Sequence, residues 1–175
     1  MSYELLLEPL RRVPLFQGLR PIQISEIARR AERVMFRAED VIIREDQIGE
    51  AAFLIISGDV VRTSGPGSDS DASISAGTLL GEMAMLVETT YSSTMVCKGP
   101  VKALKITRES LHEQMQADLP LAEHLIAKLS GRLRALAEEL RRVDQTLAAD
   151  PIPAETVLPR LLKAPSVESG LLSQR

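Results

Sequence analysis

Gly81-Glu82-Met83-Ala84-Met85-Leu86, followed by Tyr91-Ser92-Ser93-Thr94, is the stretch of this 175-residue chain whose residue types could do chemistry. A strand end at Leu79-Leu80 turns on a glycine and enters a short apolar helix, Met83 to Leu86. A run of hydroxyl side chains comes next, ahead of a new strand at Met95. The first N–H groups of a helix lack internal partners, and the helix dipole makes that end positive. With a glycine before it and hydroxyls facing it, such a terminus is predicted to cradle an anion, a phosphate in particular. The same residues also fit an ordinary strand–turn–helix. Glu82 is then a first-turn acid favoured by the dipole, and Ser92 to Thr94 are strand residues facing solvent.

Gly81 to Met85 with Ser92-Ser93-Thr94 resembles the phosphate-binding cassette of cyclic nucleotide-binding domains, which reads Gly-Glu-Leu-Ala-Leu, a short loop, then Pro-Arg-Ala-Ala-Thr. The resemblance runs from about Val13 to Leu147. It takes in Pro14-Leu15-Phe16, Gly18-Leu19, the strand Phe53 to Gly58, and Ala76-Gly77. It implies a catabolite-activator-like sensor domain whose ligand is cyclic AMP or cyclic GMP, with no other cofactor. By that resemblance Glu82 accepts from the ribose 2'-hydroxyl, as an ionised carboxylate can. The N–H groups of Met83 and Ala84 face the phosphate. Ser92 adds an N–H and a hydroxyl, and Ser93 and Thr94 add hydroxyls. In bacterial activators of the family, polar residues of the last helix read the adenine. Leu136 and Ala137 fall in that region, and they cover a base without hydrogen-bonding it.

The chain departs from the family at the phosphate itself. The family's arginine falls on Tyr91 and its proline on Thr90. A guanidinium offers phosphate a planar fork of charge-assisted bonds, and a phenol does not. Losing such a pair costs about 1.5–3 kcal/mol, roughly ten- to hundredfold in affinity. Lys98, Arg44 and Arg62 are the cations that could reach in instead. Two turn glycines of the family are replaced by Glu39 and Asp46, and of the two only aspartate readily tolerates a positive φ.

The elements that must position these residues are read from composition and periodicity. The length suits one domain with additions, and 45% hydrophobic content suffices for one core. Tryptophan is absent and aromatics make up 3%, so that core is aliphatic. A formal charge of −3 argues against a broad nucleic-acid surface. The single cysteine, Cys97, excludes an internal disulfide and reads as a buried strand thiol. No run is long enough to span a membrane, and no leader is read in Leu5-Leu6-Leu7, so a cytoplasmic location is expected.

Helical spacing covers Tyr3 to Arg12, ended by Pro14. A second helix is predicted from Ile22 to Arg33, with Pro21 at its first turn. From Val34 the pattern turns to short β-rich runs: Val34 to Phe36, Val41 to Ile43, Ala51 to Ser57 and Val60-Val61. Tyr91 to Lys98 and Val101 to Ile106 read as two more strands around Gly99-Pro100. These imply an antiparallel β-roll or jelly-roll barrel. Gly65 to Asp71 reads as a hairpin tip. Its alternate aspartates lack the remaining ligands of a calcium loop, and no metal site is expected. Thr107 is the N-cap of a helix from Arg108 to Gln116, and Pro120 opens the last, long helix.

That helix carries Ile126, Leu129, Leu133, Leu136, Leu140, Val143 and Leu147 at alternating spacings of three and four. This is the a/d stripe of a coiled coil, which a single amphipathic helix packed on its own barrel would also show; the narrow stripe favours a parallel two-stranded pairing, although Glu139 and Asp144 would then face each other with like charge. The resemblance also implies pairing through this helix, and a homodimer is expected. Beyond Asp150, four prolines mark a mobile tail in which Val157 to Leu162 is a short apolar piece. Activators of the family continue into a helix-turn-helix module. None is read after Leu147, so DNA is not an expected partner.

The expected fold is therefore α+β. N-terminal helices cover 1–33, and a β-roll covers 34–106 with its cassette at 79–94. C-terminal helices cover 107–149, and the tail 150–175. No catalytic set is visible. His112 and His124 are the only histidines, and their neighbours Glu113 and Glu123 lie on other helix faces, so both read as surface residues and the chain as a non-enzyme. Two functional readings stay open. One is a regulatory module that senses a cyclic nucleotide and relays binding through its last helix to a dimer or a protein partner. The other is an interaction or scaffold module whose site has lost its ligand.

Overall fold

The computed structural model describes residues 4–66 and 73–149. The side chains of residues 4, 5 and 146–149, part of the Gly65 to Asp71 loop, and the whole predicted tail fall outside the description. The chain divides into two compact units, Met1–Gly131 and Arg132–Arg175.

The first unit opens with α1 (Glu4–Arg12) and α2 (Pro21–Arg30). Among the described residues nine short strands follow: β1 (Glu32–Phe36), β2 (Val41–Ile43), β3 (Ile48–Gly49), β4 (Ala51–Ser57), β5 (Val60–Ser64), β6 (Leu79–Leu80), β7 (Thr89–Thr90), β8 (Thr94–Cys97) and β9 (Val101–Thr107). A 3-10 helix, Glu82–Met85, lies between β6 and β7. Helix α3 (Arg108–Ala117) and helix α4 (Leu119–Ala149) close the described chain. The strands form antiparallel sheets ordered β1-β9-β4-β6, β2-β8-β5 and β3-β7. This is the α+β architecture expected: N-terminal helices, antiparallel sheets, and a long last helix.

Strands β4 and β9 of the four-stranded sheet are covered on both faces, which explains why Ala51 to Ile56 is an unbroken apolar run. Successive side chains of a strand point to opposite faces. Ile55, Val101 and Ala103 accordingly meet Ile42, Ile43, Val60, Met95 and Cys97 of the second sheet. Ala52, Leu54, Leu104 and Ile106 face the other way, onto Leu10, Phe16, Ile24, Ile27, Leu111, Leu121 and Leu125 of the helices. Each buried valine, leucine, isoleucine, methionine or phenylalanine among them contributes about 1.5–3 kcal/mol by leaving water.

Several boundaries differ from the expectation. Helix α2 stops at Arg30, not Arg33, because Ala31 is extended (φ −69°, ψ 138°) and its N–H returns to the Ile27 carbonyl. The chain then enters β1, which pairs with β9 from Glu32 opposite Lys105 to Phe36 opposite Val101. The strand read from Tyr91 to Lys98 is only Thr94–Cys97. Tyr91 instead exchanges backbone bonds with the β2–β3 turn: its N–H donates to Gln47 and its carbonyl accepts from Asp46. Glu39 (φ 70°) and Asp46 (φ 62°) are both left-handed. The turns of the fold persist there without glycine, and glutamate carries the larger strain. Cys97 is buried, as expected.

A polar junction fixes the start of α4. Gln23 of α2 is buried, and its Nε2 donates to Asp118 Oδ2 at 2.9 Å. Asp118 Oδ1 accepts from the Leu121 N–H at 3.1 Å, and Arg20 lies 3.6 Å from Oδ2. The buried Gln114 of α3 donates to the Gln23 carbonyl. From here Leu121, Ala122 and Leu125 of α4 enter the core, with Leu129 packed against it.

In the second unit the described side chains, Arg132 to Gln145, are exposed. They include Leu133, Leu136, Leu140 and Val143, each half exposed or more. Among the described residues no helix is long and apolar enough to cross a membrane.

The Gln23 bond, the Leu121 N–H and Arg20 together hold the Asp118 carboxyl below its ordinary 3.8. Its contribution to stability is thus present above that value and is lost as pH falls through the lower, folded-state value. In chemical denaturation, Asp118→Asn should be less stable than the parent at neutral pH and indistinguishable from it once both are fully protonated. A gap that persisted unchanged in acid would contradict this.

Candidate functional site

Gly81 opens the cassette in a left-handed conformation (φ 67°, ψ 30°) that a side chain disfavours. It also lacks room for one. A Cβ there would lie 2.6 Å from Tyr91 Cε1 and 3.2 Å from the Ala51 carbonyl oxygen. At Gly49 of β3, a Cβ would lie 2.5 Å from Ala84 Cβ and 3.1 Å from the Tyr91 ring. Two glycines thus make the bed on which the Tyr91 ring lies.

The Tyr91 hydroxyl donates to the Ala51 carbonyl at 2.8 Å. Its ring packs against the core between the sheets, and burial pushes the hydroxyl above its ordinary 10.0. At neutral pH it is a neutral donor.

The remaining candidates are placed as follows. Glu82 and Met83, half-buried, begin the 3-10 helix, and the acid stands at the positive end of the peptide dipoles. The Ala84 N–H, one of two expected to face a phosphate, donates to the Gly81 carbonyl at 2.9 Å. Ser92 is exposed and Ser93 is buried. Thr94 Oγ1 accepts from the Glu45 N–H (3.0 Å) and from Ser64 Oγ (2.8 Å). Ser64 Oγ in turn accepts from the Thr94 N–H. The hydroxyl of Thr94 therefore ties β8 to β5 and to the turn after β2. Among the loose cations, Arg62 donates to the Pro66 carbonyl. Leu136 and Ala137 belong to the second unit, where both are exposed.

Periodicity alone missed the other end of the cassette. Arg108 Nη1 donates to the carbonyls of Gly49 (2.9 Å), Val87 (3.1 Å) and Ala84 (3.4 Å). One turn further along α3, His112 Nε2 bonds the Leu86 carbonyl at 2.8 Å. Carbonyls left open at a helix end attract cations and donors, and these two side chains fill that role. The four-residue spacing of Arg108 and His112, which puts them on one helix face, was the available signal. Beside them is a polar cavity of about 340 Å3 lined by Glu50, Lys105, Thr107, Arg108, Glu109 and His112. His124 differs from the expected surface residue: its ring meets Gly18, and its Nε2 is buried with no hydrogen-bond partner among the described residues.

A β-roll backed by helices, with a glycine-opened 3-10 helix and its return strand on one side, defines the class of helix-backed β-roll domains. Residues 33–118, about half of the chain, match the model of the cyclic nucleotide-binding domain. A cAMP-dependent protein kinase regulatory subunit of Blastocladiella emersonii is 31% identical over 111 residues, 62% of this chain and 27% of that protein. A CRP-like cAMP-activated global transcriptional regulator of Mycobacterium tuberculosis is 28% identical over 145 residues, 81% of this chain and 61% of that protein. The chain thus spans about a quarter of the kinase subunit and under two thirds of the regulator. The N-terminal domain of a transcriptional regulator from Streptomyces coelicolor A3(2) shares the fold, with a TM-score of 0.67 at 22% identity, covering 75% of this chain and 93% of that one.

Tyr91→Phe should cost about 0.5–1.5 kcal/mol of stability, the net worth of one hydrogen bond. Gly81→Ala should cost more, and part of that cost should vanish in Gly81→Ala/Tyr91→Ala, with a coupling of at least about 0.5 kcal/mol in denaturant unfolding. Strict additivity would mean the ring does not press on Gly81.

Proposed function

We propose that this chain is a non-catalytic regulatory module of the cyclic nucleotide-binding domain family in which Tyr91 stands where the phosphate-pairing arginine of the family would be. The module then acts without a nucleotide, through its last helix, as a homodimer or on a protein partner. One observation carries this reading: the Tyr91 ring lies on Gly81 and Gly49 with its hydroxyl bonded to Ala51. A ligand phosphate at the Gly81 turn would have to displace that ring and would meet no guanidinium in exchange. The two costs add, one for an unmade charge-assisted bond and one for a broken hydrogen bond.

The working surface is the α4 stripe. Leu133, Leu136, Leu140 and Val143 are exposed large hydrophobics, and in the sequence Ile126 and Leu129 precede them at the same coiled-coil spacing. Leu147 continues the spacing, its side chain outside those described. A helix that leaves such a stripe in water gains by covering it with a second copy. Neither DNA nor a membrane is needed by this reading, which suits a cytoplasmic protein.

A second reading, sensing of cyclic AMP or cyclic GMP, is favoured by a different observation. The opening of the cassette keeps the left-handed Gly81 and puts Glu82 at the head of the 3-10 helix. The ring of Tyr91 is only partly buried. If it swings out, binding would shift the module toward that open arrangement in proportion to its preference for it.

Calorimetry with each nucleotide separates the two. The parent protein should give no heat up to about 1 mM ligand, whereas Tyr91→Arg should gain at least about tenfold in affinity. Micromolar binding by the parent would overturn the nucleotide-independent reading. For the helix, light scattering should return a dimer mass and Leu133→Asp a monomer. A monomeric parent would end the pairing proposal.

A further inference from the structure

We propose that two copies of this chain pair through α4 in antiparallel orientation, with Arg132 of each copy against the partner's Glu139. This inference rests on the pairing proposed above and adds its direction and register.

Leu119 to Ala149 is one helix. In the sequence Ile126, Leu133 and Leu140 recur at heptad spacing, and Leu129, Leu136 and Val143 follow them three residues on. These are a and d positions, and the flanking e and g positions decide how two such helices align. Ser130, Ala137 and Asp144 fall at e, and Arg132 and Glu139 at g. Arg132, Glu139 and Asp144 are all exposed. When both helices run in the same direction, each g residue meets the partner's e residue of the next heptad. Arg132 then meets Ala137, and Glu139 meets Asp144 on both flanks of the seam. No e–g pair of opposite sign offsets that repulsion.

Reversing one helix sets a against d, g against g and e against e. With Leu133 opposite the partner's Leu136, Leu129 falls opposite Leu140 and Ile126 opposite Val143, so all six apolar side chains are covered. Arg132 then stands beside the partner's Glu139, and the two-fold axis repeats the contact. Ser130 lies beside Ala137, which is neutral. The like-charge contact of this register, Asp144 with the partner's Glu123, lies outside the last apolar layer, where salt and water screen it. Sliding by one heptad in either direction brings the two Glu139 side chains, or the two Arg132 side chains, together. Charge therefore selects both the direction and the register of the pair.

Sedimentation equilibrium of the full chain, read as a dimer dissociation constant, tests the charges. Glu139→Lys keeps the helix propensity and sets lysine against the partner's Arg132, so it should weaken the dimer at least about threefold. Arg132→Glu/Glu139→Lys restores opposite signs and should return the parent value. In a parallel pair Glu139→Lys would instead face Asp144 and tighten the dimer. Tightening, or no change, would overturn the proposal. Disulfide trapping reads the direction separately, and the native thiol, Cys97, is buried. The rise of an α-helix sets positions 126 and 143 about 25 Å apart along the axis. A mixture of Ile126→Cys and Val143→Cys chains should therefore give the mixed crosslink, and neither variant alone should crosslink. Self-crosslinking of Val143→Cys would overturn the antiparallel arrangement while leaving the pairing itself intact. A monomeric parent would remove both.

Discussion

The hydrogen bond from the Tyr91 hydroxyl to the Ala51 carbonyl organises this molecule's cassette. Ala51 begins β4, the strand with one core on each face. The bond therefore ties the return segment of the cassette to the most fixed part of the barrel. The ring that reaches it needs flat ground, which Gly49 and Gly81 supply. Backbone bonds between Tyr91 and the β2–β3 turn hold the same residue from its other side. A phenol so placed behaves as a structural side chain: neutral, partly buried and hydrogen-bonded. On the reading proposed above, a position that faces a ligand in the family has become an internal strut.

The opposite end of the cassette is held by α3. Arg108 and His112 together take the carbonyls that close the 3-10 helix, and Arg108 also reaches Gly49. Any motion of the 3-10 helix must therefore be shared with α3. From α3 the polar junction of Gln114, Gln23 and Asp118 leads to the first turn of α4. These contacts form a continuous physical path from Tyr91 to the start of the last helix. A path of contacts is not by itself a coupling, which requires two arrangements that both ends bias.

Much of the fold was legible in the residues. Alternation and run length gave Val41–Ile43 and Ala51–Ser57 to the residue, and Thr107 as the α3 cap, where its hydroxyl accepts from Ser110. The glycine turn and the short helix behind it were also legible. The misses have physical causes. Glu32 and Arg33 look helical by periodicity, but pairing with β9 and the Glu32–Lys105 ion pair draw them into β1. The two-residue ladder β3–β7 is too short to leave a pattern. Ser64 and Thr94 are 30 residues apart, and nothing local says that their hydroxyls meet. Arg108 looked like an ordinary first-turn residue, because its partners come from β3 and the cassette.

Nucleotide-independent function requires that the Tyr91 ring stay seated when a cyclic nucleotide is offered. The chain has only two tyrosines, Tyr3 and Tyr91, so ring-labelled tyrosine gives an NMR spectrum in which the Tyr91 signal is readily assigned. Titration with cyclic AMP, and separately with cyclic GMP, to about 1 mM should leave that signal and the Gly81 amide unmoved. Saturable movement of both by either nucleotide would contradict the account and return the cassette to ligand sensing.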